Sequence, residues 1–150
     1  MFAPIGVDIE WRRGFMGCGA QDLRISLELG APKTVRHDAL GYSVPADNSI
    51  HVYYRQITSI VDASSNNTRV PVVLAHVFVH EITHVLEGGG WHSSTGIMKA
   101  QWDEKDFIQM FWKPLRFESA DVESIHRALA LREHSLLSAV TPFPLVIGSE

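Results

Sequence analysis

A dense run of apolar residues between positions 70 and 87 constrains the fold of this chain more than any other feature. The apolar residues follow one another too closely for a half-buried strand, in which they would alternate with polar ones. Pro71 suits the first turn of a helix, and Asn67 or Thr68 could cap its start. The glycines at 88–90 supply the left-handed residue with which many helices end. The run therefore predicts a buried helix over residues 70–87.

Shorter elements are predicted on either side of this helix. Alternation of apolar and polar residues indicates half-buried strands over residues 5–11, 23–29, 39–44 and 50–54. Helical patterns occupy residues 56–62 and 103–112 and continue from Ser119 onward, and an extended tail is expected over 139–150. Because strands come first and helices follow, the order favours an α+β fold.

Length and composition are typical of a globular domain. The chain has 150 residues, of which 45% are hydrophobic and 20% charged, and this predicts one domain over residues 1–150. The formal net charge of −4 gives no reason to expect a nucleic-acid partner. The longest apolar stretch, residues 70–79, is too short to cross a bilayer, so no membrane span is expected.

Cysteine content and the N-terminus say little about the compartment. Cys18 is the only cysteine, so neither an intrachain disulfide nor a cysteine zinc site can form. No secretory signal is recognisable in the sequence. We therefore expect either a cytoplasmic protein or a secreted one whose leader is missing from this sequence.

The motif His80-Glu81-Ile82-Thr83-His84 lies inside the predicted helix. Side chains four residues apart share one face of a helix, so His80 and His84 can converge on one ion. Zinc is bound by imidazole nitrogens at about 2.0–2.1 Å. Glu81 would then lie beside the open coordination position and could take a proton from a water that the metal activates. We interpret the motif as a catalytic zinc site.

A catalytic zinc needs a third protein ligand, and the residues alone leave it open. His92 follows the glycines, which would let the chain reverse and bring this side chain to the ion. A carboxylate from a later helix is the alternative, and the candidates are Glu104, Glu118 and Glu123.

Other histidines and Glu87 near the motif are expected to have supporting roles. A helix rises by about 12 Å from His76 to His84, so both cannot bind one ion together with His80. His76 is therefore predicted to be a packed or hydrogen-bonded residue behind the site. Glu87 is expected to mark the end of the helix or to support the metal ligands from behind. The remaining histidines are expected at the surface or satisfied in the core: His37, His51, His126 and His134.

The segment from Leu74 to Trp102 resembles the metzincin metallopeptidases, and in particular small bacterial metzincin-like proteins. The resemblance is carried by the motif itself, by Gly88 after it, by His92-Ser93 and by Gly96-Ile97-Met98. Ser93 after the third histidine resembles the matrixin branch. The loop between His84 and His92 is two residues longer than in the usual metzincin pattern, and no tyrosine follows the Met-turn as an extra donor.

The resemblance implies a set of roles for the residues of this chain. It makes His80, His84 and His92 the zinc ligands and Glu81 the general base. It makes Gly88 the glycine that ends the helix and Met98 the methionine beneath the metal. It also implies a metzincin-like fold, in which a mixed N-terminal sheet packs on the active-site helix and a Met-turn and C-terminal helix follow.

The expected function is that of a zinc-dependent endopeptidase acting on a peptide or protein substrate. The resemblance places an extended substrate along an edge strand, for which the candidate residues are Ile50, His51, Val52 and Tyr53. A zinc amidohydrolase acting on a non-protein amide is the first alternative. A catalytically silent zinc-containing binding module is the second, although such a module has no use for Glu81.

Overall fold

The structure, a computed structural model, describes residues 1–14, 19–61 and 68–140. For residues 136–140 it describes the backbone alone. Its strands are β1 (Arg24–Glu28), β2 (Gly41–Val44) and β3 (Ser49–Tyr53). Its α-helices are α1 (Tyr54–Ile60), α2 (Val70–Glu87), α3 (Glu104–Trp112) and α4 (Ser119–Val140). Short 3-10 turns span Ala3–Ile5 and Pro45–Asp47. The predicted α+β class is confirmed.

The three strands form one mixed sheet in the order β1-β3-β2. Strand β3 runs parallel to β1, with Ile25 opposite Ile50, and antiparallel to β2, with Tyr42 opposite His51. The central place of β3 has a direct consequence for substrate binding. Both of its edges are already paired, so the prediction that Ile50, His51, Val52 and Tyr53 form an edge strand for the substrate is wrong.

Helix α2 is the core of the fold, as its apolar sequence predicts. It packs against β2, β3, α1, α3 and α4, and it ends at Gly88, whose φ of 70° is left-handed. The predicted helix end is therefore confirmed. By length and composition alone α2 could cross a membrane, but 67% of it is buried inside the fold. That burial is typical of the core helix of a globular domain.

The strand predicted over residues 5–11 is not formed. The chain makes a 3-10 turn over Ala3–Ile5 that ends at Gly6, and the residues after it have no assigned strand structure. Val7 is nevertheless buried, and Trp11 packs against Phe78 of α2 with ring centroids 6.2 Å apart. Ile5 and Ile9 are half-buried and Trp11 is 63% exposed, so the alternating pattern reflects a segment whose apolar side chains are covered to different degrees without forming a strand.

The other predicted elements are present with shifted ends. The helix predicted over 56–62 is α1, which begins two residues earlier. Helix α4 continues to Val140, so the tail predicted from residue 139 begins too early. Cys18, the capping candidate Asn67 and residues 141–150 lie outside the described residues.

Candidate metal centre

Three histidines from two adjoining parts of the chain meet beside α2. His80 and His84 extend from the helix, and His92 comes from the loop that follows it. Their ligand nitrogens all lie within 4.8 Å of one another, which is close enough to hold one metal ion. The prediction that the glycine loop brings His92 to the helical pair is confirmed. Among the described residues, none of Glu104, Glu118 and Glu123 joins this group.

Hydrogen bonds to the far side of each helical imidazole decide which nitrogen faces the centre. Nδ1 of His80 donates to the carbonyl oxygen of Ile97 at 2.8 Å, and Nδ1 of His84 donates to that of Gly89 at 3.0 Å. A carbonyl oxygen can only accept, so both rings carry their proton on Nδ1. Nε2 of each ring is left with a free lone pair, as metal-binding histidines require.

The two free nitrogens face each other. Nε2 of His80 and Nε2 of His84 lie 3.0 Å apart. Burial lowers the pKa of both imidazoles to about 4, so both rings are neutral at pH 7. Two lone pairs directed at each other repel, whereas a cation between them is attracted by both. The residues present therefore fit a metal ion bound by imidazole nitrogen.

The turn that contains Met98 supplies the carbonyl group that orients His80. Gly96 has a φ of 75°, and a Cβ atom at this position would overlap the carbonyl oxygen of Arg116. The same oxygen accepts a hydrogen bond of 2.9 Å from the backbone of Ile97, whose own carbonyl faces His80. Met98 is fully buried next to it. Contact between Met98 and the histidine rings stays a prediction.

The exposed candidate ligand His92 is held in place through its neighbour Ser93. The backbone N–H of Ser93 donates to the carbonyl oxygen of Met98 at 2.9 Å. Its hydroxyl donates to the carboxylate of Asp121, which is fully buried at the start of α4. The other oxygen of Asp121 accepts from the backbone of Glu118 at 2.9 Å. Sequence reasoning missed this contact, because no local pattern links two positions that lie 28 residues apart.

Glu81 lies beside the three histidines and is buried, with 7% of its surface exposed. Burial raises the pKa of its carboxyl group to about 7, and a hydrogen bond with the Ser43 side chain acts in the opposite direction. Gly41 allows β2 to approach this part of the helix, since a Cβ there would lie 3.4 Å from Cγ of Glu81 and 2.8 Å from the carbonyl oxygen of His51. The carboxyl group is therefore poised to exchange a proton near neutral pH.

His76 is not part of the centre, as predicted. Its Nδ1 donates to the carbonyl oxygen of Val72 at 2.7 Å, and its Nε2 accepts from the backbone of Leu115 at 3.1 Å. Burial lowers the pKa of this imidazole, so the ring is neutral and both of its nitrogens are satisfied. It connects α2 to the segment that precedes α4.

The remaining histidines lie at the surface or are hydrogen-bonded within the fold, as expected. His51 is hydrogen-bonded to Glu28 at 2.5 Å and stacked on Tyr42, and His126 is bonded to the carbonyl oxygen of Ile5. His37 and His134 are exposed.

A cleft of about 890 Å³ opens over the three histidines and Glu81. One wall is strand β2, contributed by Gly41, Tyr42 and Ser43, and the glycine loop lies along another side. Trp102 also lines the cleft. Its ring is nearly perpendicular to that of His80, and the two ring centroids lie 5.5 Å apart. Residues 50–53 do not line the cleft. Sequence reasoning missed Tyr42 and Ser43 as site residues, because their strand was assigned no role.

Fold and site together define an α+β protein whose core helix contributes two of three histidines that could hold a metal ion in an open cleft. Comparisons of the chain with protein-family models, curated proteins and solved structures gave no match.

Proposed function

We propose that this protein is a zinc-dependent endopeptidase of the metzincin type. The observation that carries the proposal is the buried carboxyl group of Glu81 beside three converging imidazoles. Three protein ligands with a vacant fourth position are typical of catalytic zinc, whereas structural zinc is enclosed by four. His92 is exposed on the cleft side, which leaves room for a substrate at that position.

The proposed reaction is hydrolysis of a peptide bond. Zinc held by His80, His84 and His92 would polarise the carbonyl group and acidify a water molecule. Glu81 accepts a proton from that water as its oxygen bonds to the carbonyl carbon, and it delivers the proton to the leaving amine when the C–N bond breaks. A carboxyl pKa near 7 suits both steps, because the group must first take up the proton and then release it.

Strand β2 is the candidate platform for the substrate. It lies at the edge of the sheet, pairs only with β3 among the described residues, and lines the cleft through Gly41, Tyr42 and Ser43. An extended peptide could add to its free edge through main-chain hydrogen bonds. This replaces the central strand β3 in the substrate-binding role.

Digestion of a peptide library with the purified chain tests the proposal. We expect one zinc ion per chain, cleavage of internal peptide bonds, loss of cleavage with a chelator and recovery when zinc is added back. Zinc-dependent hydrolysis of small amides without peptide cleavage would instead indicate the amidohydrolase. Bound zinc with no hydrolysis of either substrate class would indicate the silent binding module.

A further inference from the structure

The edge of the sheet opposite the cleft carries exposed leucines beside two charged residues. Strand β1 forms this edge, and within residues 1–14, 19–61 and 68–140 only β3 pairs with it. Leu27 is 54% exposed and Leu29 is 69% exposed. A strand at the edge of a sheet presents unpaired N–H and C=O groups, which are a template for another strand. No other strand in the described part of the chain pairs with this edge.

The backbone of β1 presents two residues outward for such pairing. The N–H of Arg24 donates to the carbonyl oxygen of Asn48, next to β3, at 2.8 Å. Backbone groups of successive residues in a strand point to opposite edges. Ile25 and Leu27 therefore direct their N–H and C=O groups away from the sheet.

We propose that β1 pairs antiparallel with β1 of a second copy of this chain, around a twofold axis beside Ser26. In this register Ile25 is opposite Leu27 of the second copy, and these two outward-facing residues exchange both of their main-chain hydrogen bonds. Arg24 is opposite Glu28 of the second copy. Because the axis repeats each pair, the edge is complementary to itself in hydrogen bonding, in apolar contact and in charge.

The charges of β1 favour a second copy over an unrelated strand. Charged side chains on an edge strand discourage pairing with another chain, unless opposite charges face each other across the junction, in which case they stabilise it. Here the two charges are opposite and symmetric about Ser26. The carboxylate of Glu28 is held by His51 at 2.5 Å and can accept further donors, and Arg24 uses one nitrogen on the carbonyl oxygen of Asp47. Both side chains are thus available for an ion pair across the axis.

The resulting dimer would have a continuous six-stranded sheet with a β2 strand at each outer edge. Since β2 borders the cleft, both metal centres remain open to solvent. The dimer is therefore independent of the proposed function, and either can fail without the other.

Sedimentation equilibrium of the full chain tests the association. We expect a concentration-dependent dimer whose dissociation constant rises about tenfold or more in Leu27→Lys and in Arg24→Glu. The double variant Arg24→Glu/Glu28→Arg should restore dimerisation, because it exchanges the two charges. Leu131→Lys is the matched control, since Leu131 is 65% exposed and belongs to α4 rather than to the sheet. A wild-type chain that stays monomeric at its highest soluble concentration overturns the proposal.

A cross-link tests the register. Opposing residues in a non-hydrogen-bonded antiparallel pair have Cα atoms about 4.5 Å apart, which a disulfide can span. In a Cys18→Ser background, Ser26→Cys should form a covalent dimer on oxidation, whereas the exposed control Ser59→Cys should not. A dimer in sedimentation whose Ser26→Cys variant never cross-links would show a different interface and overturn the proposed pairing.

Discussion

The hydroxyl of Ser93 donates a hydrogen bond to the carboxylate of Asp121, although 28 positions separate the two residues. This contact joins the loop that carries His92 to the first turn of α4. His92 is the exposed member of the three-histidine centre, and its neighbour is thereby tied to a residue that is fully buried. Helix α4 thus positions the third candidate ligand without contributing a ligand itself.

Replacing Ser93 by Ala should therefore weaken metal binding. The change leaves one buried oxygen of Asp121 without its donor, which costs about 1–3 kcal/mol of folding stability. Loss of such an outer-shell partner typically lowers metal affinity about 10–100-fold. Zinc titration by calorimetry, together with a melting curve of the metal-free protein, measures both effects. Ser135→Ala, at an exposed hydroxyl on α4, is the control. A Ser93→Ala variant with reduced melting temperature but unchanged zinc affinity would contradict the positioning role.

Replacing His92 by Ala should abolish tight metal binding. Loss of a direct ligand should lower zinc affinity by at least about 100-fold, which is more than the loss of an outer-shell partner. His76→Gln is the matched control, because His76 lies on the same helix as the site but bonds only to backbone groups. Zinc content after gel filtration is the measurement. Full zinc occupancy in His92→Ala would mean that another residue completes the site.

Glu81→Gln should separate catalysis from metal binding. Glutamine keeps the shape of the side chain but cannot accept the proton, so peptide hydrolysis should fall by at least about 100-fold while zinc content stays unchanged. Glu87→Gln is the control, because Glu87 lies on the same helix but outside the cleft. Near-normal turnover in Glu81→Gln with full zinc would defeat the proposed mechanism.

Tyr53 should give the protein a distinctive loss of stability at alkaline pH. Its ring is fully buried, and its hydroxyl has no hydrogen-bond partner among the residues that the structure describes. The pKa of this phenol is raised to about 12 from an ordinary value of 10. Burial is the largest cause, and the charge interaction with the nearby Tyr42 is the next. The unfolded chain therefore loses the proton first, and the folded state becomes less stable as pH rises from 10 towards 12.

The variant Tyr53→Phe should lack this alkaline loss. Two pKa units correspond to a difference of about 2–3 kcal/mol in unfolding free energy near pH 12. At pH 7 the variant should be as stable as the wild type or more so, since it removes a buried hydroxyl without a partner. Urea unfolding at a series of pH values measures both. Tyr54→Phe, whose ring is 38% exposed, should follow the wild type. Parallel curves for Tyr53→Phe and the wild type would show that Tyr53 is not responsible.

The sequence was sufficient for those parts of the protein that depend on local chain geometry. Helical periodicity alone places His80 and His84 on one face of α2, and a left-handed glycine ends that helix in the structure as the sequence predicts. His92 lies only a short loop away, so its approach to the pair could also be anticipated. In each case the residues are near neighbours along the chain, and few conformations can connect them.

Tertiary structure alone decided the features that join distant segments. The alternation in residues 50–54 identified a strand, but its central place depends on which strands pair with it, and no local pattern records that choice. The same pattern in residues 5–11 produced no strand, because burial of alternate side chains does not require a hydrogen-bonded neighbour. The bond between Ser93 and Asp121 likewise depends on how α4 packs against α2. Strand order, the absence of a strand over residues 5–11 and the Ser93–Asp121 contact all depend on how the whole chain packs. That packing is the result of many weak contacts between residues that are remote in sequence.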